Sequence, residues 1–307
     1  MREDKERIAL KIGYLGTQYH GFQIQPEPVG PTIEGELFKA LKNLDIIEEQ
    51  ASSNYSAAGR TDRGVHALSQ VVSFDTANPN VTPRMINSLL PDDIWAVAIA
   101  RPPSGFNARR DAIAREYRYF LGVQPDVGMD ITGMREASEL LIGVHDFSNF
   151  AQPDNHEEYD KPLQGFRGQR GGAPLAGSYS RITEIKRVSM EKRNSFIIID
   201  IEARSFLRKM VRKIVSALKM VGNGRKDKRW VEDLLELRIT EQIEPAPAFG
   251  LVLKNVSYQG ITFVEDEYAK RRIAARIKED LIFHAAMAEV LGDMVNEYAR
   301  WNKKNLQ

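Results

Sequence analysis

The stretch "AGRTDRGVHALSQVVSFDT", residues 58–76, changes character halfway along. Its first part holds two glycines, a threonine and a single carboxylate, Asp62, set between Arg60 and Arg63, and reads as a loop. Its second part, "QVVSFDT", reads as a strand. Upstream, Ile8, Leu10, Ile12 and Tyr14 alternate with Ala9, Lys11 and Gly13, the pattern of a half-buried strand. Thr32 is placed to cap a helix whose apolar positions are Ile33, Leu37, Leu41 and Leu44. Downstream, Thr82 and Pro83 open a short helix through Leu90, and "DIWAVAIA" reads as a strand.

A second cycle follows. Residues 113–122 alternate as a strand, 134–142 are helical, and 182–190 pair with 196–203 as a hairpin around "EKRNS". Residues 205–220 have strong helical periodicity, 229–237 form another helix, and "GLVLKNVSY" is a last strand. The order is roughly βαββαβ twice, with an extra helix in the second copy. This predicts an α+β fold in which two halves share a mostly antiparallel sheet flanked by helices. The expected partition is 1–110, 111–260 and a helical extension over 261–307, whose apolar stripes are Ile273, Ile277 and Leu281, then Leu291, Val295 and Tyr298. Residues 151–180 are rich in Gly, Pro and charge and too long for an ordinary connection, so they read as either a functional loop or a disordered insertion.

Composition narrows the chemistry. A chain of 307 residues with 42% apolar content can bury a core and suggests about two domains. It has no cysteine, which removes disulfides, thiolate metal sites and thiol nucleophiles. The opening "MREDKERIAL" is too charged for a signal peptide, and no apolar run approaches the roughly 20 residues of a membrane span. A cytoplasmic protein without a membrane partner is expected. With 43 basic and 42 acidic residues the net charge says little, and segregation of charge decides the partner.

The charge is segregated. Between Arg204 and Val221 there are six basic residues and no acid, with Leu207, Met210, Val211, Ile214 and Leu218 at helical spacing. Arg204, Arg208 and Arg212 are expected to form a row along one helix face that follows phosphates, with Lys209 beside them. In "FNARRDAIAREYRYFL", Arg109, Arg110, Arg115 and Arg118 interleave with Tyr117 and Tyr119, a composition suited to a polyanion whose bases stack. Each stretch alone is also compatible with a solvated charged face. Taken with Arg60 and Arg63, they point to nucleic acid.

Asp62 itself has two readings, a turn-stabilising ion pair or an ionised carboxylate used as nucleophile or base. The segment "AGRTDRGVHALSQVVSF" resembles the signature of the TruA family of tRNA pseudouridine synthases. Six further segments resemble that family in order: "YLGTQYHGFQIQP", "TIEGELFKAL", "FNARRDAIAREYRYFL", "GVHDFSNFA", "FLRKMVRKIVSAL" and "APAFGLVL". The resemblance implies two ferredoxin-like (RRM-like) halves, a homodimer with tRNA across both subunits, no cofactor and no metal. It implies Asp62 as the catalytic residue and Arg60 as a residue holding the target base out of its helix. Tyr117 would be the active-site tyrosine, Arg212 the partner of the Asp, and Leu251 an apolar wall of the uracil pocket. The expected reaction is isomerisation of uridine at positions 38–40 of the anticodon stem-loop. Expected RNA contacts are Arg63, Arg109, Arg110, Arg115, Arg204, Arg208 and Lys209.

The chain departs from the family pattern at Arg63, where the family usually has Ala, in the long 151–180 segment, and in the 265–304 extension. Other readings are a catalytically silent RNA-binding protein on the same scaffold, or a synthase with another RNA target. A metal-dependent phosphoesterase would need an acidic cluster that the sequence lacks. His66, His145 and Asp146 have no ligand spacing and read as structural, the latter two bracing a turn.

Overall fold

The Asp62 loop feeds directly into the strand on which the sheet is organised. The computed structural model describes residues 5–25, 30–123, 128–152 and 181–305. The first half runs β1 (Glu6–Tyr14), α1 (Ile33–Asn43), β2 (Ser56–Ala57), β3 (His66–Thr76), α2 (Pro83–Asn87) and β4 (Ile94–Ala100). The second runs β5 (Ala112–Gly122), α3 (Ile131–Glu139), β6 (Gly143–Asp146), β7 (Ile182–Arg193), β8 (Phe196–Ala203), α4 (Met210–Gly222), α5 (Lys228–Leu235) and β9 (Leu251–Tyr258). Last come β10 (Val264–Glu265) and α6 (Glu267–Asn305). The fold is α+β, as the hydrophobic periods imply. The helix starts follow their caps: Thr32 Oγ1 accepts from the Gly35 amide and Thr82 Oγ1 from that of Met85.

The strands lie in the order β10-β4-β1-β3-β9-β5-β8-β7-β6, with β2 on β3 outside this path. Every pairing is antiparallel except one. Strands β3 and β9 run parallel over His66↔Val252 and Ala67↔Leu253, and this short contact joins the two halves a few residues from Asp62. The first half is βαββαβ, with β2 only two residues long; the second gains β6, which the sequence reading treats as a turn.

Strand β1 is buried on both faces rather than one. Ile8, Leu10 and Ile12 are fully buried, and so is Ala9 on the other side. The cause is the segment after β9: Phe263 stacks on the Lys11 ammonium at 4.8 Å, and β10 pairs with β4 through Val264↔Ile99 and Glu265↔Ala98. The expected separate extension therefore begins as part of the first half's sheet. Helix α6 is anchored there by Arg84, which meets Asp266 at 3.4 Å and lies 4.3 Å over the Tyr268 ring. Arg276 still meets Asp92 at 3.7 Å, and from Leu281 onward the apolar side chains Leu281, Ile282, Leu291 and Val295 are exposed.

Two local expectations are overturned. Residues 204–209 are not helical; Lys209 has φ +59°, and α4 starts at Met210, so Arg204, Arg208 and Arg212 form no row along a helix. In β5 the period of two puts Arg118 and Tyr117 on opposite faces. Arg118 makes a two-pronged pair with Asp200 at 2.7 Å, in a ladder with Lys254, Glu116 and Arg187 on the open face, while Tyr117 and Tyr119 are buried on the other. The arginines and tyrosines of this strand therefore do not form one stacking surface. Among the described residues, no helix is long and apolar enough to cross a membrane. Apart from Ala151 and Gln152, the 151–180 loop lies outside the described residues.

Candidate active site

The loop between β2 and β3 is tied to the rest of the protein through Ala58, Gly59 and Thr61 and closed by a bond of its own. The Ala58 amide donates to Val71 O, and the Gly59 carbonyl accepts from the buried Gln70 side chain at 2.8 Å. The Thr61 carbonyl accepts from the Phe22 amide at 3.0 Å, and its hydroxyl pairs with the Tyr14 hydroxyl at 2.8 Å. Gly64, at φ +80°, turns the chain back so that the Val65 amide reaches Asp62 O at 3.1 Å. What remains free to act is the Asp62 carboxylate.

Arg212 aims it. From the first turn of α4, its Nη1 donates to Asp62 Oδ2 at 2.9 Å, with the carboxylate 30% and the guanidinium side chain 13% exposed. Arg212 Nε is held by Ala246 O at 2.6 Å, so the fork has one orientation. A partly buried, charge-assisted pair of this kind holds the carboxylate in one direction.

Tyr117 is buried beside the loop: a Cβ on Gly59 would lie 3.8 Å from its hydroxyl, and Phe206 packs edge-on at 5.1 Å. Burial pushes its phenol up to about 12, with the Asp62 charge adding to the rise against Arg115, so it stays protonated near neutrality. Leu251 is buried at the start of β9 opposite Tyr119, whose hydroxyl donates to Pro247 O at 3.0 Å. The structure thus brings Asp62, Tyr117 and Arg212 together where the halves meet, with Leu251 nearby at the start of β9.

The other arginines divide into two kinds. Arg60, Arg63, Arg109, Arg110, Arg204 and Arg208 are exposed, with Lys209 half-buried; Arg110 also bonds Asp111 and Gly105 O. Arg115 is different. It is buried, and its guanidinium donates to the carbonyls of Ala58, Arg109 and Arg204, so its donors are consumed inside the protein rather than offered to a phosphate.

Several groups that shape the site escape the sequence reading. Tyr14, Gln70 and Thr61 meet only because β1 and β3 pair with Ile12 opposite Gln70. His66 is structural, as read, but its role is specific: Nδ1 accepts from the Gly16 amide at 3.2 Å, which assigns the proton to Nε2, 3.1 Å from Phe249 O. Burial lowers its basicity. His145 lies in β6 and bonds Ile142 O, and Asp146 does brace a turn, accepting from the Ser148 amide and hydroxyl.

Comparisons with known proteins give the family. A family described as tRNA pseudouridine synthase matches residues 12–106 and 137–259. The tRNA pseudouridine synthase A of Methanosarcina acetivorans is 44% identical over 293 residues, covering 94% of this chain and 99% of that protein. That of Methanococcoides burtonii is 44% identical over 292 residues, covering 94% and 96%. The Thermococcus sibiricus protein of the same name is 38% identical over 288 residues, covering 94% and 98%.

Proposed function

This chain belongs to the tRNA pseudouridine synthase family, and we propose that Asp62 is the carboxylate with which it isomerises uridine to pseudouridine in tRNA. The reaction breaks the N1–C1′ bond, turns the uracil and joins C5 to the same carbon, so atoms and electrons balance without a co-reactant. It needs an ionised acid close to the sugar and ring, held still and partly shielded from water. The observation that carries the assignment is the partly buried pair between Asp62 and Arg212, in a loop anchored at Ala58, Gly59 and Thr61.

The other roles follow from position. Arg60, exposed two residues before Asp62, enters the space the target base leaves; unstacking that base costs a few kcal/mol, which a planar cation offsets. Tyr117 presents a protonated hydroxyl beside Gly59, and Leu251 contributes an apolar wall to the uracil pocket. Arg63, Arg109, Arg110, Arg204, Arg208 and Lys209 bind phosphates at the rim. The targets are uridines at positions 38–40 of the anticodon stem-loop, a reading supported by the ordered motif resemblance. The enzyme works in the cytoplasm, where its substrate is, and as a homodimer, for which the apolar side chains exposed on α6 supply a surface.

The test is direct. Unmodified tRNA transcripts incubated with the purified protein should acquire pseudouridine at one or more of positions 38–40, and the Asp62→Asn protein should bind them without converting them. Conversion elsewhere would reassign the target, and conversion by the Asn variant would remove Asp62 from its role.

A further inference from the structure

The segment that packs beside the Asp62 loop, residues 246–251, is pinned at its backbone. Ala246 exchanges both of its groups with Arg212, its amide donating to the carbonyl at 3.1 Å and its carbonyl accepting from Nε at 2.6 Å. Pro247 O accepts from Tyr119, and Phe249 O from His66. Gly250 lies so close to the Tyr119 ring that a Cβ would come within 2.8 Å, which a larger residue could not meet without displacing the turn. Ala248 faces Gly64 of the Asp62 loop, where a Cβ would be 3.4 Å from its own, and Leu251 is buried.

Pro247 and Phe249 are the exposed residues of this turn, and Phe249 is the large one. Phe249 is 72% exposed. A lone apolar group on a loose surface loop needs no explanation. Here the backbone on both sides is held and packed, so a large ring is mounted on a rigid base beside the catalytic loop. The reaction also creates a partner for it. When the target uridine leaves its stack, the bases around it lose a neighbour and offer an apolar face, and aromatic side chains stack on such faces whatever the base.

We propose that Phe249 is a stacking platform for an unpaired tRNA base next to the target uridine. This rests on the reading of Asp62 as the carboxylate of tRNA isomerisation, and its test reads binding as well as turnover. Phe249→Trp keeps a π face, Phe249→Leu keeps apolar bulk without one, and Phe249→Ala removes both. For each full-length variant one measures Kd for an unmodified tRNA transcript, kcat and KM. The emission of 2-aminopurine placed at nucleotides flanking the target gives a third readout.

The Leu and Ala variants should show Kd and KM raised by about 5- to 150-fold with thermal midpoints unchanged, and the Trp variant should stay near wild type. The 2-aminopurine emission change on binding should persist with Trp and vanish with Leu. Wild-type affinity and emission change in the Leu variant would overturn the proposal, as would equal losses in all three variants, which would report shape rather than stacking. A wild-type protein that binds tRNA but forms no pseudouridine would sink the Asp62 reading, while the Kd series would still decide the role of Phe249.

Discussion

Arg115 donates two hydrogen bonds, at 2.9 and 2.6 Å, to the carbonyl of Ala58, the residue from which the Asp62 loop departs. Its other contacts, to the carbonyls of Arg109 and Arg204, tie that departure point to the segments before β5 and after β8. No lysine can reproduce this, because one ammonium cannot face three carbonyls in the plane of a fork. Arg115→Lys should therefore lower kcat far more than it weakens tRNA binding. A fall of up to about 100-fold is the scale associated with ångström-level misplacement of a reacting group. Single-turnover rates alongside Kd check this. An Arg115→Lys protein with normal turnover, or an Arg115→Ala protein whose main defect is a shallower salt dependence of binding, would mark Arg115 as a phosphate contact instead.

Asp62→Asn is nearly isosteric and keeps an acceptor for Arg212, but removes the charge. Pseudouridine formation should be lost, with tRNA affinity retained and a thermal midpoint close to wild type, because an Asp62 side chain 30% exposed contributes modestly to stability. Pseudouridine mapping on a defined transcript, with circular dichroism melts as control, reads both.

Arg212→Lys keeps a cation but loses the planar fork that contacts Ala246 O and Asp62 together. Turnover should fall with little change in KM, the signature of an interaction realised in the transition state. If KM rises and kcat holds, Arg212 binds the RNA backbone.

His66 bonds Gly16 and Phe249 together only when neutral, since its Nδ1 must accept from the Gly16 amide while Nε2 donates to Phe249 O. Its folded-state basicity is lowered by burial, so the unfolded chain binds the proton more readily, and stability rises with pH across the interval between the lowered value and the ordinary 6.5. The contribution is fully present above about pH 6.5 and is lost as pH falls through that interval. Melting midpoints from pH 7.5 down to 5 should fall more steeply for wild type than for His66→Gln. Parallel curves would show that this bond carries no pH dependence.

Arg63 is exposed at the rim next to Asp62. If it meets a phosphate, Arg63→Ala should weaken tRNA binding equally for different tRNAs and reduce the slope of log K against log salt by roughly one contact's worth. A salt slope identical to wild type would remove it from the interface.

The sequence by itself determined the elements whose causes are local. Thr32 and Thr82 cap helices through contacts three residues away, and the alternation in β1 and β5 reports a neighbour two residues away, so both can be read along the chain. Asp62, Arg212 and Tyr117 were legible because whole segments resemble a known family, although no local pattern says that residues 150 apart would meet. Tertiary structure alone decided the rest. The parallel β3–β9 contact, the burial of β1 from both sides, and the Tyr14–Thr61 pair depend on strand register and on what covers a face, and neither leaves a periodic trace. The basic residues show this most plainly. Arg63, Arg115, Arg118 and Arg204 are the same letter, yet one lies at the rim, one holds three buried carbonyls, one pairs with Asp200 and one precedes a helix expected to contain it. Charge is a property of the residue, but whether it is spent on a carbonyl, a carboxylate or a phosphate depends on which acceptors the fold brings within about 3 Å.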